Sequence, residues 1–300
     1  MNSQKANKWQ HNNINVEFDE ELGYIHQSPI PSVEQVSSWY QTEFGGAMKG
    51  GFIERKKRDT DYWRIAFERR HLNYGRLLGK TEGLRILDVG CGIGDFLGYF
   101  KEKGYEVHGI EPNQNFHPLL EKKGITYLAK LTDEMTDDDW QELGQFDIVN
   151  MSMLLEHIRL PMDLVQIISE KALKPGGILS IESPNDFNDL QEVAIQANEL
   201  DRWWIHKLHI NYFNFDSLEH ITTKAGLNPV HRDCQFPIEM FLLFGDDYVK
   251  NKEEGPGMHQ KRVRLEQKLY DTGNMDVMMG LFEKFAEAGL GRTAIVYAQK

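Results

Sequence analysis

The chain has 300 residues, of which 40% are hydrophobic and 11% aromatic, enough to form one large core with appendages. Lysine and arginine number 34 against 46 aspartate and glutamate, and the resulting formal charge of −12 disfavours nucleic acid as a partner, since a phosphate backbone attracts basic surfaces. The chain has two cysteines and no signal-peptide pattern, which predicts a cytoplasmic protein without a disulfide framework. It has no apolar stretch of roughly 18 residues, so we expect no membrane association.

The first 80 residues predict a flexible terminus followed by a helical cap. Residues 1–15 are polar and lack periodicity, so we expect no regular structure there. Helical spacing of apolar residues covers 33–44 and 59–78, and the glycines of "FGGAMKGGF" between them predict a flexible loop or a hinge. The helix at 59–78 is either a lid that presents Tyr62, Trp63 and Tyr74 or an element packed permanently against a sheet.

After "GKTEG", short runs rich in Val and Ile alternate with amphipathic segments. The predicted strands lie at 85–89, 106–110, 125–129, 146–151 and 177–183, with helices at 95–103, 114–123, 136–143 and 161–173. Further helices are predicted at 186–200, 216–225 and 261–288, with a strand at 228–232 and a closing strand in "RTAIVYAQK". This order predicts an α/β fold with a Rossmann-like, mostly parallel sheet, helices on both faces and an antiparallel closing strand.

The segment "LDVGCGIG" at 87–94 joins the first of these strands to a helix through three glycines. Such a turn brings backbone N–H groups to the carboxyl edge of a parallel sheet, where nucleotide-like ligands bind. Glu111 ends the next strand, where a carboxylate can accept hydrogen bonds from ribose hydroxyls. A dinucleotide fingerprint requires glycine where Asp95 stands, and Asp88 and Asp95 would repel a pyrophosphate but favour a sulfonium or ammonium group.

Together with Glu111-Pro112, "FDIVNMSMLLEHI" and "LKPGGILSIESPN", this loop resembles the class I S-adenosylmethionine-dependent methyltransferases. The later segments "SPNDFNDLQ", "HINYFNFDSLEHITTKAGL" and "GLGRTAIVYAQK" resemble a bacterial small-molecule methyltransferase subgroup. The resemblance implies a methyltransferase domain over 81–300 with substrate-side additions in about 186–290. The residues it assigns to the cofactor are Asp88, Gly90, Cys91, Gly92 and Gly94 for methionine, Glu111 and Pro112 for ribose, Met151 and Ser152 beside the ribose, and Leu131 for adenine.

Histidines are the candidate bases for such a reaction, in which a nucleophile must be held about 3 Å from a methyl carbon in a dry pocket. His209 is read either as a base or substrate contact or as a structural histidine, with His206 as a weaker candidate. His157 is either catalytic or a residue bonded to backbone at a helix start. The Glu156-His157 pair resembles one that helps to bind a metal in ubiquinone-pathway O-methyltransferases, but Met153 replaces a further carboxylate, so we expect no metal.

The expected function is therefore methyl transfer from S-adenosylmethionine to a small molecule, at a hydroxyl of a sugar or natural-product-like metabolite. Two alternatives remain at this stage, an NAD(P)-dependent oxidoreductase and a non-catalytic S-adenosylmethionine-binding module. The sequence identifies neither the acceptor nor the oligomeric state.

Overall fold

The computed structural model of the chain describes residues 8–39 and 51–300. Its strands are β1 (Lys8–His11), β2 (Ile14–Asp19), β3 (Tyr24–Gln27), β4 (Arg85–Val89), β5 (Glu106–Ile110), β6 (Thr126–Leu128), β7 (Phe146–Ser152), β8 (Leu173–Pro184), β9 (Asn211–Tyr212), β10 (Asn228–Cys234) and β11 (Thr293–Gln299). Its helices are α1 (Val33–Trp39), α2 (Phe52–Arg58), α3 (Thr60–Leu78), α4 (Asp95–Glu102), α5 (His117–Lys122), α6 (Asp137–Leu143), α7 (Pro161–Ile167), α8 (Asp189–Asn198), α9 (Phe215–Lys224), α10 (Glu239–Leu243), α11 (Gly255–Asp271) and α12 (Met275–Glu287).

The main sheet has seven strands in the order β10-β11-β8-β7-β4-β5-β6. The strands β4 to β8 run parallel to their neighbours, while β11 is antiparallel to β8 and β10 is antiparallel to β11. The predicted α/β fold, with a mostly parallel sheet and an antiparallel closing strand, is confirmed. The carboxyl ends of the parallel strands lie along one edge, which places Val89, Ile110 and Ser152 near one another.

The central strands are apolar on both faces because helices cover both. In β4, Ile86 packs in one core cluster and Leu87 in the other, and Ile148 and Val149 of β7 divide in the same way. All four side chains are fully buried. When the side chains of a strand point alternately into two buried faces, its sequence is a continuous run of Ile, Leu and Val. This is the pattern that predicted the parallel sheet.

The structure differs from the expectation of an unstructured terminus. β1, β2 and β3 form an antiparallel sheet that is completed by β9, with Ile25 paired to Tyr212. Val16 and Trp204 are buried between this small sheet and the connection that precedes β9. Strand β1 escaped prediction because it is short, polar and half exposed, so that its apolar period is weak.

The predicted helix at 261–288 is also corrected, since it is two helices, α11 and α12. Gly273 follows α11 and has a φ of +73°, a left-handed conformation that ends a helix. Glycine occupies this position because residues with a Cβ rarely adopt such a φ. The predicted helix at 59–78 matches α3, and the prediction for 33–44 matches α1 as far as Trp39. The remainder of that helix and most of the predicted hinge lie outside the described residues.

Among residues 8–39 and 51–300, every helix is too short or too polar to span a membrane.

Candidate functional site

The glycine loop between β4 and α4 has the geometry of a ligand-binding turn. Gly90, Gly92 and Gly94 all have positive φ, a region that L-residues with a Cβ rarely adopt. A Cβ on Gly94 would lie 2.6 Å from Leu120, so packing requires glycine there. A Cβ on Gly92 would meet no atom within 4 Å, so the backbone at Gly92 faces open space. The loop therefore leaves room for a ligand at Gly92.

Glu111 joins the end of β5 to this loop. The backbone N–H of Gly92 donates to its Oε2 at 2.7 Å, and that of Asn113 donates to its Oε1 at 2.8 Å. Burial raises the pKa of Glu111, and these two hydrogen bonds oppose the shift. Each carboxylate oxygen retains a lone pair, so Glu111 can still accept hydrogen bonds from a diol.

A cavity of about 410 Å³ adjoins the loop. The predicted cofactor residues that line it are Asp88, Gly90, Cys91, Gly92 and Ser152. The predicted cofactor residues that do not line it are Gly94, Glu111, Pro112, Leu131 and Met151. Met151 is fully buried in the core, whereas Pro112 and Leu131 are half-buried at the carboxyl edge. Most of the predicted methionine residues and Ser152 thus line the cavity, whereas Gly94 and the other predicted ribose and adenine residues do not, and the assignment of roles stays a prediction.

Asp88 of β4 is one of the acidic groups that line this cavity. It is 4% exposed, and Asn150 Nδ2 donates to its Oδ1 at 2.7 Å. Ser180 Oγ in turn donates to Asn150 Oδ1 at 2.9 Å, which fixes the amide orientation. Burial raises the pKa of Asp88 to about 7; the Asn150 hydrogen bond opposes this, and Glu111 adds to it. A nearby positive charge would favour the ionised form.

Glu182 of β8, which the sequence analysis did not select, is the centre of a buried network in the same cavity. Its Oε2 accepts from Arg70 Nη2 and Ser152 Oγ, both at 2.7 Å, and its Oε1 accepts from Gln235 Nε2 at 2.7 Å and Thr293 Oγ1 at 2.9 Å. Burial opposes its ionisation, but Arg70 and the donors lower the pKa of Glu182 below its ordinary value. The available signal was a lone acid inside the apolar run "ILSIES".

The helical cap contributes Lys56 and Trp63 to the cavity. Lys56 Nζ lies 3.6 Å from the centroid of the Trp63 ring, a cation–π contact. Burial lowers the pKa of Lys56, and the nearest acids oppose that shift. Within residues 8–39 and 51–300, no carboxylate oxygen comes within 4.0 Å of its ammonium group. Lys56 is therefore available to an incoming anionic group.

The charges around the cavity suit a zwitterionic ligand with an additional positive centre. Its acidic members are Asp88, Asp95, Glu182 and Asp233, and its basic members are Lys56, Arg69 and Arg70. The amino and carboxylate groups of a methionine end require both signs, and a sulfonium group requires nearby negative charge. With the open backbone at Gly92, the residues present fit the methionine part of S-adenosylmethionine.

The histidines predicted as bases lie in a separate cluster, and neither lines the cavity. His157 Nδ1 is 2.7 Å from the Leu208 carbonyl oxygen, and the His206 and His209 ring centroids are 3.8 Å apart. Burial lowers the pKa of His157 to about 4 and that of His209 to about 2, so both are weak bases in this arrangement. Their catalytic role stays a prediction.

Glu156 joins this cluster and makes it a possible cation site. One ligand atom from each of Glu156, His157 and His209 lies within 4.8 Å of the other two. Glu156 is 1% exposed, and burial raises its pKa to about 8. Two imidazoles and one carboxylate are a donor set suited to a transition metal. The expectation that the protein holds no metal stays untested.

A second cavity of about 320 Å³ adjoins the first, and Trp63, Met153 and Gln235 line both. The apolar segment 236–245 both lines this cavity and contributes to the buried core. Ile238 lines the second cavity, while Phe241 is buried in the core.

A sequence model described as a methyltransferase domain matches residues 58–232, more than half of the chain. The ubiquinone biosynthesis O-methyltransferase of Cereibacter sphaeroides is 30% identical over 159 residues, which cover 50% of this chain and 63% of the relative. The enzyme of the same description from Idiomarina loihiensis is 28% identical over 191 residues, covering 59% of this chain and 77% of the relative. The match thus spans less than two thirds of the first relative.

Solved structures of similar fold include a 1,6-didemethyltoxoflavin-N1-methyltransferase from Burkholderia thailandensis, with 1,6-didemethyltoxoflavin and S-adenosylhomocysteine bound. It is 14% identical, covers 98% of this chain and 99% of its own, and has a TM-score of 0.51. The magnesium protoporphyrin IX methyltransferase of Synechocystis PCC 6803 is 11% identical, covers 90% of this chain and 100% of its own, and has a TM-score of 0.53. At such identities the likeness concerns the fold.

Proposed function

Because the chain belongs to the S-adenosylmethionine-dependent methyltransferase family, we propose that it transfers a methyl group to a hydroxyl of a small molecule, a sugar or natural-product-like metabolite. The observation that carries the proposal is the glycine loop, in which an open backbone position at Gly92 is hydrogen-bonded to the Glu111 carboxylate. The choice of a hydroxyl is supported by the description of the sequence relatives as O-methyltransferases.

S-adenosylmethionine, when bound, supplies a methyl group activated by the positive charge of its sulfonium. In this proposal Asp88 faces the positive groups of the methionine end, Lys56 binds its carboxylate, and Glu111 accepts hydrogen bonds from the ribose hydroxyls. Gly90, Cys91 and Gly92 present backbone to the ligand. Support for these roles comes from the cavity lining, the charge balance and the free ammonium group of Lys56.

The acceptor is proposed to enter from the second cavity and to reach the first beside Met153. Trp63 and Met153 stand where the two cavities meet, so they can exclude water from the reacting atoms. Holding the hydroxyl in line with the methyl group then supplies most of the rate. A direct part for His157 or His209 would need a rearrangement that brings either ring to the cavity.

The proposed division of the chain has a cap in residues 1–80 and a methyltransferase domain in 81–300. More than half of the residues that line the second cavity lie between Gln235 and Arg262, which supports substrate-side additions in about 186–290. The family match begins at residue 58, inside the proposed cap, which supports grouping α3 with the domain that follows.

The test is binding of S-adenosylhomocysteine, measured by titration calorimetry on the parent chain and on Glu111→Gln. Loss of charge-assisted hydrogen bonds to the ribose should weaken binding about 10- to 150-fold. Glu121→Gln, an exposed change on α5, is the control and should bind like the parent. A parent chain that does not bind S-adenosylhomocysteine would contradict the proposed function.

Catalysis is tested separately with S-adenosylmethionine and panels of hydroxyl, amine and carbon acceptors, by mass spectrometry of the products. We expect a methylated hydroxyl product. Cofactor binding with only slow hydrolysis and no product from any panel would favour a non-catalytic binding module. Binding of a nicotinamide cofactor with a change in absorbance near 340 nm would favour the oxidoreductase alternative.

A further inference from the structure

The second cavity contains two inward-facing guanidinium groups. Arg262 of α11 and Arg292, which directly precedes β11, both line it. Arg262 donates through Nη1 to Gln235 Oε1 and through Nε to His259 Nδ1, both at 3.2 Å. Gln235 lines both cavities, so the Arg262 side chain extends towards the junction with the cofactor region.

Neither guanidinium has an ion-pair partner among the residues that the structure describes. Arginines elsewhere in the described chain commonly pair with a carboxylate within 4.0 Å, as Arg70, Arg202 and Arg232 do. No such carboxylate contacts Arg262 or Arg292 within residues 8–39 and 51–300. In a chain of net charge −12, two inward-facing arginines without carboxylate partners require an explanation.

Arg292 is the more exceptional of the two. Its Nη1 is buried and has no hydrogen-bond partner in the described residues, which is costly for a charged donor. Asp186 and Glu239 are the acids that interact with it electrostatically, but neither forms an ion pair with it in the described chain. Burial raises the pKa of Asp186 to about 7 and raises that of Glu239, so both carry less negative charge than exposed acids would.

The rest of the cavity is largely apolar. Ile238, Met258, Met153 and Trp63 provide hydrophobic wall, and Tyr248 and Thr293 add hydroxyl groups. A ligand that fits must therefore combine an organic body with an anionic group that two guanidinium forks can bind.

We infer that the methyl acceptor is an organic anion whose carboxylate or phosphate group is bound by Arg262 and Arg292 in the second cavity. This inference rests on the proposed function for its placement of the acceptor, but the anion site itself is defined by the two arginines. The organic body lies against the apolar wall and directs the reacting hydroxyl past Met153 towards the first cavity.

The test uses three matched probes, benzoate, phenyl phosphate and benzyl alcohol, titrated calorimetrically into the chain with and without saturating S-adenosylhomocysteine. We expect at least one anionic probe to bind about 10-fold or more tightly than benzyl alcohol. Tighter binding of benzoate would identify a carboxylate as the preferred group, and tighter binding of phenyl phosphate a phosphate. Equal affinity for all three probes would overturn the inference.

Arginine variants link the preference to the site. Arg292→Gln and Arg262→Gln should each weaken the preferred anion about 10-fold or more and leave benzyl alcohol unchanged. Arg264→Gln, an exposed change on the same helix α11, is the matched control and should bind like the parent. Because Arg292 is partly buried, Arg262→Gln provides an independent reading if Arg292→Gln does not fold. Unchanged anion affinity in folded Arg262→Gln would overturn the inference.

Failure of the inference and failure of the proposed function give different results. Anion selectivity that depends on Arg262 in a chain that does not bind S-adenosylhomocysteine would support the anion site and contradict methyl transfer. Binding of S-adenosylhomocysteine with no anion selectivity would leave the proposed function intact and overturn the inference.

Discussion

At the level of single residues, Asp88 has the most informative environment in the first cavity. Its carboxyl group is buried against Asn150, and burial raises its pKa to about 7 from an ordinary 3.8. A group with a raised pKa in the folded state stabilises the fold at pH values below its unfolded pKa. That contribution is lost as the pH rises from about 4 to about 7.

We therefore predict opposite pH dependences for stability and for ligand binding. Between pH 4 and pH 7 the unliganded parent should lose stability relative to Asp88→Asn, because only the parent has a carboxyl group to ionise in the cavity. S-adenosylhomocysteine affinity should rise with pH through about 7 in the parent, since the ligand's ammonium group favours the carboxylate.

Denaturant unfolding and calorimetry across this pH range measure the two effects. Asp88→Asn should show a flatter affinity profile and weaker binding above pH 7. If the parent and the variant have parallel profiles for both quantities, Asp88 does not titrate in this range and does not face the ligand's positive charge.

The distance along the sequence between interacting residues explains which parts of the site could be predicted. Asp88, Gly92 and Glu111 occur at strand ends in a short local motif, and the structure places them at the predicted edge. Glu182 was missed because its partners Arg70, Gln235 and Thr293 come from segments distant in the sequence. A spacing rule detects local motifs, whereas such a network exists only after the chain has folded.

Among the elements, the glycine loop allows a test that separates ligand space from backbone strain. Gly92 has a φ of +55° and Gly104, in the exposed turn between α4 and β5, has a φ of +86°. A Cβ would meet no atom within 4 Å at either position. Alanine should therefore cost about 1–2 kcal/mol of stability at each site through the left-handed backbone alone.

We predict that Gly92→Ala also reduces S-adenosylhomocysteine affinity by tenfold or more, because the methyl group occupies space needed by the ligand. Gly104→Ala should bind like the parent. Thermal unfolding measures the strain and calorimetry measures the affinity. Equal affinities in the two variants would show that the ligand does not approach the loop at Gly92.

The helix α3 is the second element whose role can be tested. Tyr74 is fully buried and its hydroxyl is 2.6 Å from Ser180 Oγ of β8, while Arg70 pairs with Glu182. Arg69 pairs with Asp233 of β10. Buried contacts to two strands favour the alternative in which this helix is packed permanently on the sheet, and leave α2 as the part of the cap that can respond to ligand.

Hydrogen exchange with mass spectrometry distinguishes these alternatives. We expect strong protection of residues 66–78 in the free chain with little change on binding S-adenosylhomocysteine. Residues 51–58 should be weakly protected when free and should gain protection when Lys56 binds the ligand's carboxylate. Weak protection of 66–78 that rises with ligand would instead restore the lid hypothesis for the whole helix.

For the whole molecule, the seven-stranded sheet was predictable and the small sheet was not. The central strands β4 and β7 are buried on both faces, so each appears as an apolar run of its own. By contrast β3 pairs with the two-residue strand β9, far along the chain, and neither segment signals the other. Long-range pairing of short strands leaves too weak a local pattern to be read from one sequence.

This small sheet connects the N-terminal segment to the histidine cluster. Gln27 is 7% exposed, and its Nε2 donates to the carbonyl oxygens of Lys207 at 3.0 Å and His209 at 2.8 Å. The Leu208 carbonyl oxygen contacts His157, which follows the end of β7. The N-terminal strands therefore help to hold a loop that lies against the carboxyl edge of the main sheet.

We predict that Gln27→Ala destabilises the folded chain by about 1–3 kcal/mol, because it removes the part-buried hydrogen bonds from Nε2 to the carbonyl oxygens of Lys207 and His209. S-adenosylhomocysteine affinity should stay within about threefold of the parent, since Gln27 lines neither cavity. Gln10→Ala, an exposed change in β1, serves as the control and should leave stability within about 0.5 kcal/mol. Denaturant unfolding gives the free energies. A Gln27→Ala variant as stable as Gln10→Ala would show that the N-terminal sheet rests on the loop without supporting it.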